Sequence, residues 1–198
     1  MDNSKITNII AEYFDKNVNA FNYDQDRLER IDLFLDNFNL KGYEDVLDVG
    51  CGSGIIDGYL ARNNKYIDSI DLSKRMIETA KSIHKEENLR YFNENYYEFH
   101  ENKKYDLIII FNAYPHFLDK EKFKLKSKAL LKENGRLIIL HDVNRNRLKE
   151  LHLRACDKIS RILEEAEVEA KVYKDSFKIV NIEDNENKFV IDMIKNRD

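Results

Sequence analysis

Three glycines at alternate positions, Gly50, Gly52 and Gly54, stand directly behind the mostly apolar run Val46–Val49 in DVLDVGCGSGIIDGYL. Glycines spaced this way, where a strand gives way to a helix, let the backbone come close to a ligand with no Cβ in between. Three nucleotide readings compete for them. A phosphate-gripping P-loop needs a Lys-Ser/Thr pair after its last glycine, and here the chain continues Ile55-Ile56-Asp57. A dinucleotide fingerprint needs a third small residue three places after its second glycine. Counted from Gly50 that place holds Ile55, and counted from Gly52 it holds Asp57. What remains is an acid, Asp48, two residues ahead of a G-x-G-x-G. A carboxylate there is a poor neighbour for a pyrophosphate and suits a ligand bearing an ammonium group. A strand–turn–helix junction that uses glycine only for its turn is the plainer alternative.

The rest of the chain alternates between a period of two and a period of 3.6 residues. Helical spacing places Ile6, Ile9, Ile10, Tyr13 and Phe14 on one face over residues 5–19, and Leu28, Ile31, Phe34, Leu35 and Phe38 over 24–38. Then come strand DVLDVG, helix GIIDGYLARN, strand YIDSIDLS, and helix SKRMIETAKSIHK with Ser73 as its N-cap. Strands LRYFNEN and YDLIIIFNA follow, then a helix KEKFKLKSKALLKENG stopping at Gly135 and a strand RLIILHD. RNRLKELHLRACDKISRILEEAE reads as one helix, and SFKIVNIEDNENKFVIDMIK as two strands joined by a polar turn. The expected fold is α/β and Rossmann-like: a doubly wound, mostly parallel seven-stranded sheet with N-terminal helices and a C-terminal antiparallel hairpin. With one proline, six glycines and no linker-like composition, 1–198 reads as one domain, 1–40 a helical extension and 41–198 the core. Ligands of such sheets bind outside the carboxyl ends of the strands. The loops to read are therefore 50–54, 71–73, 95–97, 112–117 and 141–144.

Composition narrows the partners. A formal net charge of −4 gives no electrostatic footprint for nucleic acid, and charged residues at 35% suit a solvated surface. No apolar run is long enough to span a membrane. The opening MDNSKITNII lacks the basic and apolar regions of a signal peptide. Cys51 and Cys156 show no metal or redox spacing, so free thiols in a reducing cytoplasm are expected.

On these residues the chain resembles the class I S-adenosylmethionine-dependent methyltransferases. VLDVGCGSG resembles their first motif and SIDLSKRMIETAK their second. FNENYYEF and YDLIIIFNAYPHFLD resemble the third and fourth, and LLKENGRLIILHD the turn into strand five. The likeness covers residues 44–142, about half the chain. The N-terminal helices and NAYPHF…LHDVNRNRLKELH also resemble a bacterial subgroup of small-molecule methyltransferases of undefined substrate. The resemblance implies S-adenosylmethionine as cofactor, held by Asp48, Gly50, Cys51, Gly52, Gly54, Asp71, Leu72, Met76, Asn95, Tyr96 and Asn112.

Asp71 follows the glycines by roughly 20 residues, the spacing at which an acid reaches ribose hydroxyls. Leu72 and Met76 would flank the adenine, or serve simply as core. Asn95 stands where the family usually has Asp; it keeps an acceptor oxygen for the adenine amino group but adds a donor. Tyr96 would offer the ring its backbone N–H. Asn112 would lie near the methionine portion, and Asp48 would meet the ammonium directly or through water or backbone. His116, in NAYPHF, is the candidate general base or substrate positioner; a packed surface histidine is the rival. Tyr13, Tyr23, Tyr114 and His141 are candidate substrate contacts, Tyr13 within an N-terminal lid. His116, His141 and His152 form no metal-ligand spacing, and no metal is expected.

The acceptor loop reads Asn112-Ala113-Tyr114-Pro115, not the Asn/Asp-Pro-Pro-aromatic of enzymes that methylate base or glutamine amines. A small-molecule acceptor is expected, with no nucleic acid and no membrane. The alternatives are a non-catalytic binder of the same nucleoside and an NAD oxidoreductase. Oligomeric state is not legible.

Overall fold

The computed structural model describes residues 3–21, 23–155 and 159–197, without the side chains of 3–4 and 151–155. Cys156 and the side chain of His152 therefore lie outside the described residues. The chain divides into two compact units, 1–100 and 101–198.

The first unit begins with α1 (Asn3–Asn17), a 3-10 turn (Val18–Phe21) and α2 (Gln25–Asp36). Asp24 caps α2 by accepting from the Arg27 N–H at 2.8 Å. Three parallel strands follow, β1 (Asp45–Val49), β2 (Tyr66–Asp71) and β3 (Leu89–Asn93), ordered β3-β2-β1. Helix α3 (Asp57–Asn63) links β1 to β2, and α4 (Lys74–Ile83) links β2 to β3. Val46, Leu47, Val49, Ile67 and Ile70 are fully buried, as a strand covered on both faces requires. Asp48, Ser69 and Tyr91 are register partners across the three strands, so their side chains share one face.

The second unit holds β4 (Tyr105–Phe111), a 3-10 turn (Tyr114–His116), α5 (Lys120–Leu130), β5 (Leu131–His141), α6 (Arg145–Ala155) and α7 (Ala166–Ala170). It ends with a 3-10 turn (Lys171–Tyr173), β6 (Phe177–Asp184) and β7 (Phe189–Lys195). The order is β4-β5-β7-β6, with β4 and β5 parallel and β7 antiparallel to both its neighbours. The expected hairpin is present, with its second strand on the inside.

Three boundaries differ from the sequence reading. Helix α3 starts at Asp57, because residues 51–56 are spent on turns closed by Gly54 N–H to Cys51 C=O and Asp57 N–H to Gly54 C=O. Helix α5 ends at Leu130, not at Gly135. Leu131 already pairs with Tyr105; the chain then makes an irregular excursion and rejoins the ladder at Arg136. Gly135 serves that excursion: a Cβ there would meet the Lys132 carbonyl oxygen at 2.9 Å. Third, the helix expected through 159–165 is absent. Ile159, Leu163 and Ala166 are buried at helical spacing. The backbone between them is nonetheless irregular, and the Arg161 N–H is bonded to the Pro115 carbonyl at 3.0 Å.

Among the described residues no helix is long and apolar enough to cross a membrane.

Candidate functional site

Each unit contributes a polar constellation at the carboxyl ends of its strands. In the first, the turn after β1 is pinned to the end of β2: Gly50 and Cys51 N–H both donate to the Ile70 carbonyl, at 2.8 and 3.1 Å. Gly50, Gly52 and Gly54 all have positive φ, at 73°, 56° and 85°. Gly52 has open space where its Cβ would sit, which is the clearance a ligand lying on the loop needs. Gly54 has none. A Cβ there would come within 2.7 Å of Asp57 Oδ2 and 2.8 Å of His84 Cδ2, so that glycine makes room for side chains of the protein itself.

Asp71 ties the loop to α4. Its Oδ2 accepts from the Gly52 N–H at 2.9 Å and its Oδ1 from the Ser73 N–H at 2.8 Å. Removal from water pushes its pKa up to about 6, against the pull of the Ser73 and Gly52 amides. Ser73 is the expected N-cap, accepting from the Met76 N–H at 3.1 Å. It also donates to Asp15 of α1 at 2.6 Å, and Arg75 bonds Asp15 through both its backbone N–H and its guanidinium. Ser53 Oγ donates to the Phe21 carbonyl at 2.8 Å. The segment 3–21, which carries Tyr13, is thus fastened at two points beside the candidate cradle. Tyr13 stacks edge-on against Phe14, 5.3 Å between centroids; Tyr13 and Tyr23 are both half-buried.

Leu72 is half-buried, whereas Met76 is 1% exposed and belongs to the packing of α4. Asn95 uses its side-chain oxygen on the Tyr97 N–H at 3.1 Å, an Asx-turn that fixes the loop; Tyr96 is buried. Cys51 is buried, and burial followed by the charges of Asp57, Asp71 and Asp48 pushes its thiol pKa well up, so it is no thiolate nucleophile.

Asp48 is 1% exposed; neither of its carboxyl oxygens receives an N–H or O–H donor among the described residues, and its carboxyl faces that of Asp57. Burial, then the neighbouring Asp57 and Asp71 charges, raise its pKa well above the usual carboxylate range. Asp57, absent from the sequence reading as a site residue, is also fully buried. It accepts from Ser69 Oγ at 2.8 Å and from the Tyr91 hydroxyl at 2.7 Å.

In the second unit, Asn112 leaves β4 with φ of 55°. It is locked to the end of β5: its Nδ2 donates to Asp142 Oδ1 at 2.8 Å, and its Oδ1 accepts from the Asp142 N–H at 3.3 Å. Asp142 is a second residue that periodicity did not single out; its place directly after RLIILH was the available signal. His116 is half-buried, with Nδ1 2.8 Å from the Ile159 carbonyl. A carbonyl only accepts, so Nδ1 carries the hydrogen and Nε2 is the basic nitrogen of the neutral ring.

Tyr114 is fully buried, its hydroxyl 2.8 Å from that of Tyr173 and 3.4 Å from Glu169. Its ring also receives the Arg161 guanidinium at 4.6 Å. It therefore anchors the loop from inside. Glu169 is the hub: it binds Arg161 at 2.8 Å and Lys120 at 3.0 Å. Burial works to raise its pKa, but the Arg161 and Lys120 contacts prevail and hold it below the usual value. His141 is fully buried, edge-on to Phe189 at 5.8 Å. Among the described residues no three His, Cys, Asp or Glu side chains gather as a metal site.

Comparison with known proteins adds three findings. A family described as "Methyltransferase domain" matches residues 47–139. A ubiquinone biosynthesis O-methyltransferase of Rickettsia akari (strain Hartford) is 32% identical over 105 residues, covering 52% of this chain and 41% of that protein. The chain thus spans less than half the length of that relative. Among solved structures, the N-methyltransferase NodS from Bradyrhizobium japonicum WM9, in complex with S-adenosyl-L-homocysteine, covers 95% of this chain and 99% of its own. Its TM-score is 0.72 and its identity 15%. The DhpI complex with the same compound covers all of both chains, with a TM-score of 0.74 and 13% identity. At such identities the likeness is one of fold. It is the expected α/β, Rossmann-like arrangement of seven strands, mostly parallel, with an antiparallel final pair.

Proposed function

We propose, from the premise that this chain belongs to the class I S-adenosylmethionine-dependent methyltransferases, that it transfers a methyl group from S-adenosylmethionine to a small-molecule acceptor by in-line displacement. The observation that carries the reading is Asp71. One carboxylate grips both the glycine loop and the start of α4, at the distance along the chain where an acid meets ribose hydroxyls. The residues fit the cofactor: the buried Asp48 carboxyl has no cationic or N–H donor among the described residues, and a ligand ammonium would supply one.

The cofactor supplies an activated methyl on a cationic sulfur, so the chain need supply no covalent catalysis. Its own residues bind, align and exclude water. The amides of residues 50–54 lie along the nucleoside, with Gly52 providing clearance. Asp71 accepts from the ribose hydroxyls. Leu72 and Met76 give apolar surface to the adenine; Asn95 and the Tyr96 N–H mark its edge, and Asn112 the methionine portion. Tyr13 and Tyr23 belong to the segment that covers the donor.

His116 Nε2 takes the proton of the acceptor as the methyl transfers. An imidazole with its tautomer fixed by Ile159 favours a hydroxyl acceptor, as does the O-methyltransferase activity in the relative's name. The acidic balance argues against nucleic acid as substrate. A small cytoplasmic metabolite is the acceptor in this reading.

The test is to incubate the purified protein with S-adenosylmethionine and panels of phenols, thiols and amines, and to measure S-adenosylhomocysteine. Turnover on a hydroxyl compound is expected. His116→Ala should slow it by about 10²–10⁴-fold with the donor Kd unchanged. Donor binding with no turnover on any class would leave a non-catalytic binder, and unchanged rates in His116→Ala would remove the base.

A further inference from the structure

Behind the glycine loop lies a polar cluster that the methyl-transfer chemistry does not use. Asp57, the first residue of α3, is buried over the row of side chains formed by Asp48, Ser69 and Tyr91 on β1, β2 and β3. Ser69 donates to one of its oxygens and Tyr91 to the other, at 2.8 and 2.7 Å. Neither hydroxyl does the same for Asp48, whose two oxygens are buried with no N–H or O–H donor among the described residues and whose carboxyl faces that of Asp57. Two carboxylates this close, in so little water, do not both ionise. The one with two hydroxyl donors keeps the charge, and Asp48 keeps the proton and donates it toward Asp57.

The same cluster shapes the loop. The Asp57 oxygen and the His84 ring occupy the space that a Cβ on Gly54 would need, and the His84 ring and Arg62 flank Gly58. His84 in turn faces Glu86, at 3.7 Å. The groups facing Asp48 are thus Asp57 from α3, Asp71 from the end of β2, Tyr91 from β3 and the Cys51 thiol of the loop, with His84 behind Asp57. The nearest charges to Asp48 are anionic.

We propose that Asp57 is a positioning residue of the donor site. Its carboxylate, fixed from behind by Ser69 and Tyr91, holds Asp48 as the neutral acid until a cation meets it, and the donor's ammonium displaces that proton. The step balances: the Asp48 O–H bond breaks, the proton passes to solvent, and the carboxylate left behind pairs with the ammonium. Donor binding is then linked to release of a proton. A ligand with the same adenosine and sulfur but no amino-acid tail releases none. Asp57 touches neither the ligand nor the methyl group; it acts through Asp48 and through the loop.

This rests on the proposed donor site, and calorimetry separates the two. S-adenosylhomocysteine is titrated into the protein at about pH 7.5, where Asp71 is already ionised, in buffers of different ionisation enthalpy. The slope of observed enthalpy against buffer enthalpy gives the protons released, with about one expected at most. 5′-Methylthioadenosine, which lacks the amino-acid tail, should give a slope near zero. Asp57→Asn retains an acceptor for Ser69 and Tyr91 and removes the charge, so S-adenosylhomocysteine should bind with a much reduced slope. Asp48→Asn should abolish the slope even where binding persists. A wild-type slope of zero with S-adenosylhomocysteine bound would overturn the proposal alone. Equal slopes for the two ligands would do the same. No binding of S-adenosylhomocysteine at all would overturn the donor site and the proposal with it.

Discussion

The glycine loop and the His116 loop both follow strands of a Rossmann-like fold, yet they are held in different ways. The first is held by its own neighbourhood. Asp71 and Ile70, about 20 residues on, supply its hydrogen bonds, and Asp57, three residues past its last glycine, packs behind it. The second is held from far along the chain. Ile159 takes the His116 Nδ1–H, Arg161 bonds the Pro115 and Phe117 carbonyls, and the Tyr114 hydroxyl donates to Glu169 and lies 2.8 Å from that of Tyr173. In the proposed reading, binding the nucleoside thus rests on short-range backbone geometry, and placing the His116 base on a buried network that closes loops of more than 40 residues. The first is cheap in chain entropy and the second costs more.

The comparison is broken most sharply at Glu169. Replacing it with Ala leaves the Arg161 guanidinium and Lys120 without their buried partner, and about 3–5 kcal/mol of stability should be lost in denaturant titration. Glu169→Gln, which keeps the shape, should lose less. If the second loop is as non-local as described, both variants that remain folded should bind donor normally while turnover suffers.

Next in size is Asp71→Ala, which should weaken donor binding by about 1.5–3 kcal/mol, the range for hydrogen bonds to a charged group. Ser73→Ala removes the cap of α4 and the bond to Asp15 together, at about 1 kcal/mol in thermal or denaturant unfolding. It should also loosen α1, read out as faster amide exchange in residues 5–21.

The smallest effect sharpens the account of Asp71 by its sign. A carboxyl whose folded pKa of about 6 lies above its unfolded value costs stability above pH 6. That cost is relieved as pH falls from about 6 toward 4. The Tm of Asp71→Asn relative to wild type should therefore drift downward from pH 8 to pH 5, by a few degrees at most. Donor affinity of the wild type should fall over the same interval, because protonated Asp71 accepts less from the ribose. Stability and affinity moving in opposite directions distinguishes loss of the site from loss of the fold.

Legibility in the sequence follows the same division. The glycine turn and the Ser73 cap could be read because each depends on neighbours within one strand–turn–helix unit. Gly54 was legible as a glycine but not for its reason, since nothing in GIIDGYL shows that Asp57 turns back beneath the loop. The segment 159–165 misled because Ile159, Leu163 and Ala166 repeat at helical spacing while their backbone bonds to a loop more than 40 residues earlier. Gly135 misled in the same manner. A helix cap and a strand irregularity both call for glycine, and only the pairing of Leu131 with Tyr105 distinguishes them. The burial of Tyr114 is decided by Tyr173 and Glu169, which the local sequence around its loop does not display.

In the proposed function, the cradle gripped by Asp71 takes the adenosyl sulfur compounds and not a pyrophosphate. Titration calorimetry of the wild type and Asp71→Ala with S-adenosylhomocysteine, and separately with NAD, tests this most directly. The expected result is saturable one-to-one binding of S-adenosylhomocysteine, clearly weakened by the substitution, with no heat from NAD. Saturable NAD binding, or S-adenosylhomocysteine affinity indifferent to the loss of Asp71, would contradict it.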